Sequence, residues 1–258
     1  MSPLWRDQIR IVLSPRQVAL LRLTRGWKPK IISKFVVPCA ATKPGEPPWR
    51  NTLAGLDAAI TEFGTHKKAD AVVVLSNHFV RYALVEHCDQ INTEEEEMAL
   101  VRHSFSTIYG DNAGRWALRL NDAGVRDGVR IASAVDQDLQ ESLREKFKTT
   151  KFRLRSIQPY LMAAFNQWRH RFNSSAWFVL GEQGKLCLAK FQGSQCYSIK
   201  AMRISDDWPH ELAMCLEREK RLLGFDTASA TSAAEVPVFV FAPGYSETSP
   251  PQAKELWP

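Results

Sequence analysis

The residues that could carry chemistry are scattered. The six histidines, His66, His78, His87, His103, His170 and His210, fall in no metal-ligand spacing. Without a nearby Asp or Cys set they read as surface or satisfied-core side chains, although His78 and His87 could flank one strand pair. The five cysteines, Cys39, Cys88, Cys187, Cys196 and Cys215, form no Cys-x-x-Cys pair and leave one odd, which argues against a disulfide framework or a zinc site. Cys187 and Cys196 could face each other on neighbouring strands, but they read as two small buried hydrophobes. Asp136 with Asp138 resembles a metal pair at a strand-to-helix junction, yet helix capping and the first-turn preference for acids account for both. No Gly-x-x-x-x-Gly-Lys-Ser/Thr loop, Gly-x-Ser-x-Gly elbow or His-Glu-x-x-His helix occurs. What remains is surface chemistry. Glu94 to Glu97 is an acidic helix start whose sharper reading is a docking patch. Trp168-Arg169-His170-Arg171-Phe172 is the densest basic and aromatic spot, and reads as cations at a helix C-terminus with aromatics packed inward.

Composition narrows the class. The chain has 258 residues and is 45% hydrophobic, enough for one large or two modest cored domains. Its net charge is 34 − 28 = +6. That balance suits nucleic acid, a membrane surface or an acidic protein partner without choosing among them. The first ten residues include Arg6, Asp7 and Arg10 around no apolar core region, and no apolar stretch reaches spanning length. The expectation is a cytoplasmic protein with no membrane span of its own.

Two stretches read as one repeated unit of three short strands, a helix and a buried strand: about Ile9 to Ser76, and about Ala176 to Pro243. In the first, Ile9, Ile11 and Leu13 alternate with polar or lesser positions, and Ser14-Pro15-Arg16 makes a turn. Val18–Thr24 and Lys30–Val37 follow as strands, Asn51–Phe63 as a helix ended by Gly64, and Ala71–Leu75 as a strand covered on both faces. In the second, Ala176–Leu180, Lys185–Phe191 and Gln195–Ile204 are strands joined by hairpin-length turns at Gly184 and Gly193. A helix opened by Asp206-Asp207-Trp208-Pro209 and a strand ending at Phe241, with Pro237 near its start, complete it. Between the units lie a strand from Phe79 to Glu86, a helix from Asn92 to Tyr109 with a Thr93/Glu96 capping box, and paired strands Arg115–Leu120 and Val129–Val135. A helix Asp136–Phe147, a strand Phe152–Ile157 and a helix Pro159–Phe172 follow. Phe79 and Tyr82 have opposite strand parity, so at most one should face the core and the other is a candidate anchor, the alternative being that a local bulge buries both.

The tandem order resembles the actin-like (ASKHA) superfamily, and within it the pilus and secretion branch: PilM, MshI and the cytoplasmic domain of GspL. Ile9 to Arg22, Ala71 to Val85 and Arg130 to Phe165 carry the likeness, the last ending Leu154-Arg-Ser-Ile-Gln-Pro-Tyr-Leu-Met-Ala-Ala-Phe165. The resemblance implies an α/β fold of two ribonuclease-H-like lobes, with mixed sheets flanked by helices. Residues 1–157 would form the first lobe, with an inserted α/β subdomain at about 78–150. Residues 158–245 would form the second lobe and 246–258 a tail.

It also implies where a nucleotide would sit and how far that site has decayed. The first phosphate hairpin of an ATP-hydrolysing relative carries Asp and Gly; here Leu13-Ser14-Pro15-Arg16-Gln17 has neither. The second, Gly181-Glu182-Gln183-Gly184-Lys185, keeps glycines and offers Glu182 as the only nearby acid. The adenosine-side turn retains a single Gly244. Ser14, Arg16, Gly181, Glu182, Gly184 and Gly244 are thus a vestigial nucleotide site. No cofactor is expected, and ATP with Mg²⁺ belongs to the alternative reading, a kinase or ATPase of the same fold. The favoured expectation is a non-catalytic scaffold of a type IV pilus or type II secretion-like assembly. It would be cytoplasmic and held at the inner membrane by a partner's short peptide, with no nucleic acid and with a homodimer left open. Phe79, Arg81, Tyr82, Glu95 and Glu96 are the candidate partner contacts.

Overall fold

The alternation of Ile9, Ile11 and Leu13 with Arg10 becomes a strand whose apolar side is fully covered, β1 (Asp7–Leu13). In the computed structural model the described residues are 7–24, 30–64, 68–86, 88, 90–91, 93–121, 128–169, 175–193, 195–205, 207–222 and 236–242. From β1 the chain turns back as β2 (Gln17–Leu23) and again as β3 (Ile31–Pro38), both antiparallel. Helix α1 (Arg50–Phe63) crosses over to β4 (Ala69–Leu75), which lies parallel to β1. The second unit repeats this. Strands β9 (Ser175–Glu182), β10 (Lys185–Gln192) and β11 (Gln195–Arg203) are antiparallel neighbours, and α5 (Trp208–Leu222) leads to β12 (Val238–Phe241), parallel to β9.

Between the units, β5 (Val80–Glu86), α2 (Glu94–Tyr109), a 3₁₀ turn (Gly110–Arg115), β6 (Trp116–Leu120) and β7 (Val129–Asp136) form a separate antiparallel sheet of order β5-β7-β6. Thr93 and Glu96 make the expected capping box on α2. Asp136 caps α3 (Gln137–Lys148) by accepting from the N–H groups of Asp138 and Leu139. Strand β8 (Phe152–Pro159) then joins β4 in parallel, giving a first sheet of order β3-β2-β1-β4-β8. Helix α4 (Tyr160–Trp168) follows; the expected extension to Phe172 and the expected cap at Asp206 lie outside the described residues.

One apolar core runs through both units. Ile11, Leu20, Leu56 and Val73 of the first share a cluster with Phe178, Cys187 and Phe191 of the second, and Leu161, Met162 and Phe165 of α4 lie between them. Phe165 stacks on Phe191 with ring centroids 3.9 Å apart and meets Phe178 edge-on at 6.3 Å. A second cluster holds Trp177, Val179 and Leu188 of the outer sheet face against Trp208 and Leu212 of α5. A third holds Ala83, Val85 and Ala132 of the inserted sheet against Val101 and Phe105 of α2. Cys187 and Cys196 are both buried, but Cys187 is opposite Ala201 and Cys196 opposite Phe191, so they are packing residues and not a pair.

Candidate functional site

The two copies place their first turns at the same point in the unit, and the structure shows what each turn does with its polar groups. In the β1–β2 turn, the Ser14 N–H donates to the Gln17 carbonyl at 3.0 Å, and the Ser14 hydroxyl donates to the same oxygen at 2.9 Å. The Gln17 N–H donates to Ser14 Oγ at 3.2 Å. Pro15 has no N–H. Three of the four residues from Ser14 to Gln17 therefore have no N–H to offer an anion. The carbonyls are engaged as well: that of Ser14 accepts from Thr52 Oγ1 at 2.9 Å, and that of Leu13 from the Ser76 N–H at 2.9 Å. A phosphate cradle needs several convergent backbone donors, and this turn spends its own internally.

The β9–β10 turn reaches across instead. Its two-residue loop, Gln183-Gly184, depends on Gly184 at φ +75, a conformation that glycine adopts without steric cost. Glu182 Oε2 accepts the Asn77 N–H at 2.8 Å, and the Ser76 hydroxyl also hydrogen-bonds the carboxylate. The Gln183 carbonyl lies 3.1 Å from His78 Nε2. Asn77 is itself fixed, since its Oδ1 accepts from the Tyr82 hydroxyl at 2.6 Å. Residues 105 apart in sequence thus join the end of β4 to the second copy.

Burial sets the electrostatics here. It pushes the Glu182 carboxyl above its ordinary range, against the opposing pull of the hydrogen bonds from Ser76 and Asn77 and of the Lys185 charge. It lowers His78, helped by the nearby cations Lys185, Arg16 and Arg81. It lowers Lys185, with Arg81 adding repulsion, and raises Tyr160 and Tyr82. Cys187 is pushed up to about 12, by burial and then by the Glu182 charge, which leaves it a thiol. The site therefore holds one buried carboxylate, Glu182, beside Lys185, and a His78 near the charges of Lys185, Arg16 and Arg81. Among the described residues no group of three or more His, Cys, Asp or Glu side chains could hold a metal. Of the six residues read as the vestigial site, Ser14, Arg16 and Gly184 fall in these two turns, Gly181 and Glu182 end β9, and Gly244 lies outside the described residues.

The candidate partner contacts divide. Glu95 and Glu96 are exposed at the start of α2, Glu96 being held in the capping box. Arg81 is partly buried and donates to the carbonyls of His78 and Val80. Phe79 and Tyr82 are only 5% and 6% exposed, so neither ring is available as an anchor, which corrects the parity argument. That argument failed because the strand begins at Val80. Phe79 sits in the turn before it, its N–H donating to the Ser76 carbonyl at 2.9 Å, so strand alternation does not direct its side chain. Tyr82 points inward with its hydroxyl satisfied by Asn77, and no bulge interrupts the β5–β7 ladder. The contact between Glu182 and Asn77 carries no local sequence signal; only the tandem units hint that the two turns converge.

No family model and no curated protein matches the chain. Solved structures do. A protein of Bacteroides thetaiotaomicron with an actin-like ATPase fold and unknown function superposes with TM-score 0.60 at 10% identity, over 94% of this chain and 84% of that one. The cytoplasmic domain of EpsL, an inner membrane component of the type II secretion system of Vibrio cholerae, gives 0.58 at 11% identity, over 97% and 90%. A chain of the PilM–PilN type IV pilus biogenesis complex gives 0.61 at 12% identity, over 92% and 81%. At such identities the likeness establishes the fold, which is actin-like, as the sequence resemblance implied.

Proposed function

We propose that this actin-like chain is a non-catalytic scaffold that works by protein–protein interaction in a type IV pilus or type II secretion-like assembly at the inner membrane. The observation that carries this reading is the pairing of the two turns. The first turn uses its own donors, and the carboxylate of the second is bonded to the Asn77 N–H. No carboxylate stands in the first turn to organise Mg²⁺ or an attacking water. The likeness to the EpsL cytoplasmic domain and to the PilM–PilN complex supports the assembly context. In this reading a membrane partner holds the chain in place; among the described residues no helix is long and apolar enough to cross a membrane.

The cations Arg16, Arg81 and Lys185 around His78 favour a second reading, in which ATP is bound as an anion without turnover, or with turnover through Glu182. Purified protein incubated with ATP and Mg²⁺, with ATP binding and phosphate release both measured, decides among these. The scaffold reading expects no phosphate release above background, and no change on Glu182→Gln. Steady release that disappears in Glu182→Gln would establish the enzyme.

A further inference from the structure

Each unit is built on a sheet with two faces, and the two units do not cover those faces equally. In the second, α5 packs on the face of Trp177, Val179 and Leu188, and α4 covers the opposite face, where Phe178, Ala189 and Phe191 are fully buried. In the first, α1 packs on the face of Val18 and Leu20. The opposite face has no counterpart of α4 among the described residues. Val12, Leu21 and Val72 are half-buried there, Val36 is 41% exposed, and none of the four belongs to a core cluster. The strand ladders set this face in cross-strand rows. Val74, Val12, Ala19 and Val36 form an apolar row, and Val72, Arg10, Leu21 and Lys34 form the next. Arg10 and Lys34 are exposed and, among the described residues, make no ion pair. Asp70, which shares the face, is held by Arg155 at 3.0 Å. The vacancy has an origin in the chain order. The first unit sends α4 onto the second sheet directly after its fifth strand, β8, whereas the second, among the described residues, stops at β12 and sends no helix back.

We infer that this face of the first sheet docks an amphipathic helix from a partner protein, seated along β2 with its apolar stripe on Ala19 and Leu21 and its carboxylates against Arg10 and Lys34. The inference rests on the scaffold reading and names the chemistry of a partner. The equivalent face of the second sheet is filled by a helix, α4, so the fold itself shows what fits on such a surface. Arg10 and Lys34 stand two strands apart, about 10 Å at roughly 4.8 Å per strand, which matches the width of a helix with its side chains. Between them Ala19 and Leu21 offer the apolar floor that the stripe of an amphipathic helix requires. Carboxylates on both flanks of that stripe would then meet one cation each. A two-fold pairing of this face with itself would instead set two cations against two cations, with Asp70 already engaged on either side.

The test uses the full chain to select from a displayed library of peptides about five helical turns long, with Leu and Ala fixed along one stripe and Glu, Gln or Lys random elsewhere. The wild type should enrich Glu at the positions bordering the stripe, and Arg10→Glu/Lys34→Glu should enrich Lys there. The best wild-type peptide, labelled and titrated, should gain helical circular dichroism on binding and weaken as salt rises. It should lose at least tenfold in affinity on the charge-reversed variant and on Leu21→Ser, with thermal melts confirming that both fold. If either is unfolded, Lys34→Glu alone, at an exposed position of an edge strand, should still weaken binding at least threefold. Selection without charge bias, the same bias on both baits, or a bound peptide without helix overturns the proposal. A wild-type dimer in sedimentation that Leu21→Ser dissolves overturns it in favour of a second copy. Displacement of the peptide by a synthetic 243–258 segment overturns it in favour of the chain's own tail, and tighter binding of phosphatidylglycerol vesicles overturns it in favour of a membrane surface. Failure of the peptide leaves the absence of ATP turnover untouched, and ATP turnover would not alter the peptide result, so the two failures are distinguishable.

Discussion

The β1–β2 and β9–β10 turns stand at equivalent points of two units with the same strand order, yet they satisfy their polar groups in opposite ways. Ser14 closes the first turn on itself, whereas Glu182 satisfies the second by taking an N–H from the other half of the molecule. The difference teaches where a duplicated scaffold can change without losing its shape. The strand pairings are fixed by long apolar ladders. The turns are short and lie outside those ladders, so one can act as a seal and the other as a strut. Under the scaffold proposal both turns serve as structural contacts.

The largest expected effect tests whether the two copies are energetically separate. Phe165 of α4 packs on Phe191 and Phe178 of the second copy, and its cluster includes the first sheet. Phe165→Ala should cost about 3–5 kcal/mol. Amide exchange should show protection falling together in β4 and β9; loss confined to β9 would mean that the copies unfold apart.

The next effect sharpens a difference in packing. A Cβ added at Gly55 of α1 would lie 2.7 Å from Cys39 Sγ and 3.4 Å from Val18, so Gly55→Ala should cost about 1–3 kcal/mol by denaturant titration. Adding Cys39→Ala should restore much of that. Gly184 in the second copy has open space around it but a φ of +75, so Gly184→Ala should cost about 1 kcal/mol through the backbone alone. No second-site truncation should rescue it.

The smallest effect is a pH signature confined to the second turn. Burial raises the Glu182 carboxyl above 4.5, so the folded state holds that proton more tightly than the unfolded chain does. The stabilisation from protonation is complete below the unfolded value and is lost as pH rises through the folded one. Glu182→Gln should therefore melt above the wild type at neutral pH and lose that advantage near pH 4. An advantage independent of pH would place the carboxylate in water.

The strand plan was legible because its signals are local. Ser14-Pro15, Gly184 and Gly193 punctuate hairpins, the apolar run of β4 marks a strand covered on both faces, and Thr93 with Glu96 writes its own cap. The site was legible only in part. The erosion of the first turn is visible in Pro15 itself, but the Glu182 contact joins positions 105 residues apart, and Phe79 was misjudged by one residue of strand boundary. Arg119, Arg144 and Arg153 border one cavity but come from three elements, β6, α3 and β8, so no local pattern in the sequence marks it.

The position of α4 between the two sheets has a consequence for biosynthesis. Phe165 finds its ring partners in Phe178 and Phe191, 191 − 165 = 26 residues on at most, whereas Tyr160 meets Phe241 only 241 − 160 = 81 residues on. At roughly 5–20 residues per second the longer interval lasts about 4–16 s. A nascent chain stalled once Trp168 has left the ribosome should recruit chaperones, and one stalled once Phe241 has left it should release them. Equal chaperone occupancy at both stall points would show that the amino-terminal half hides α4 by itself.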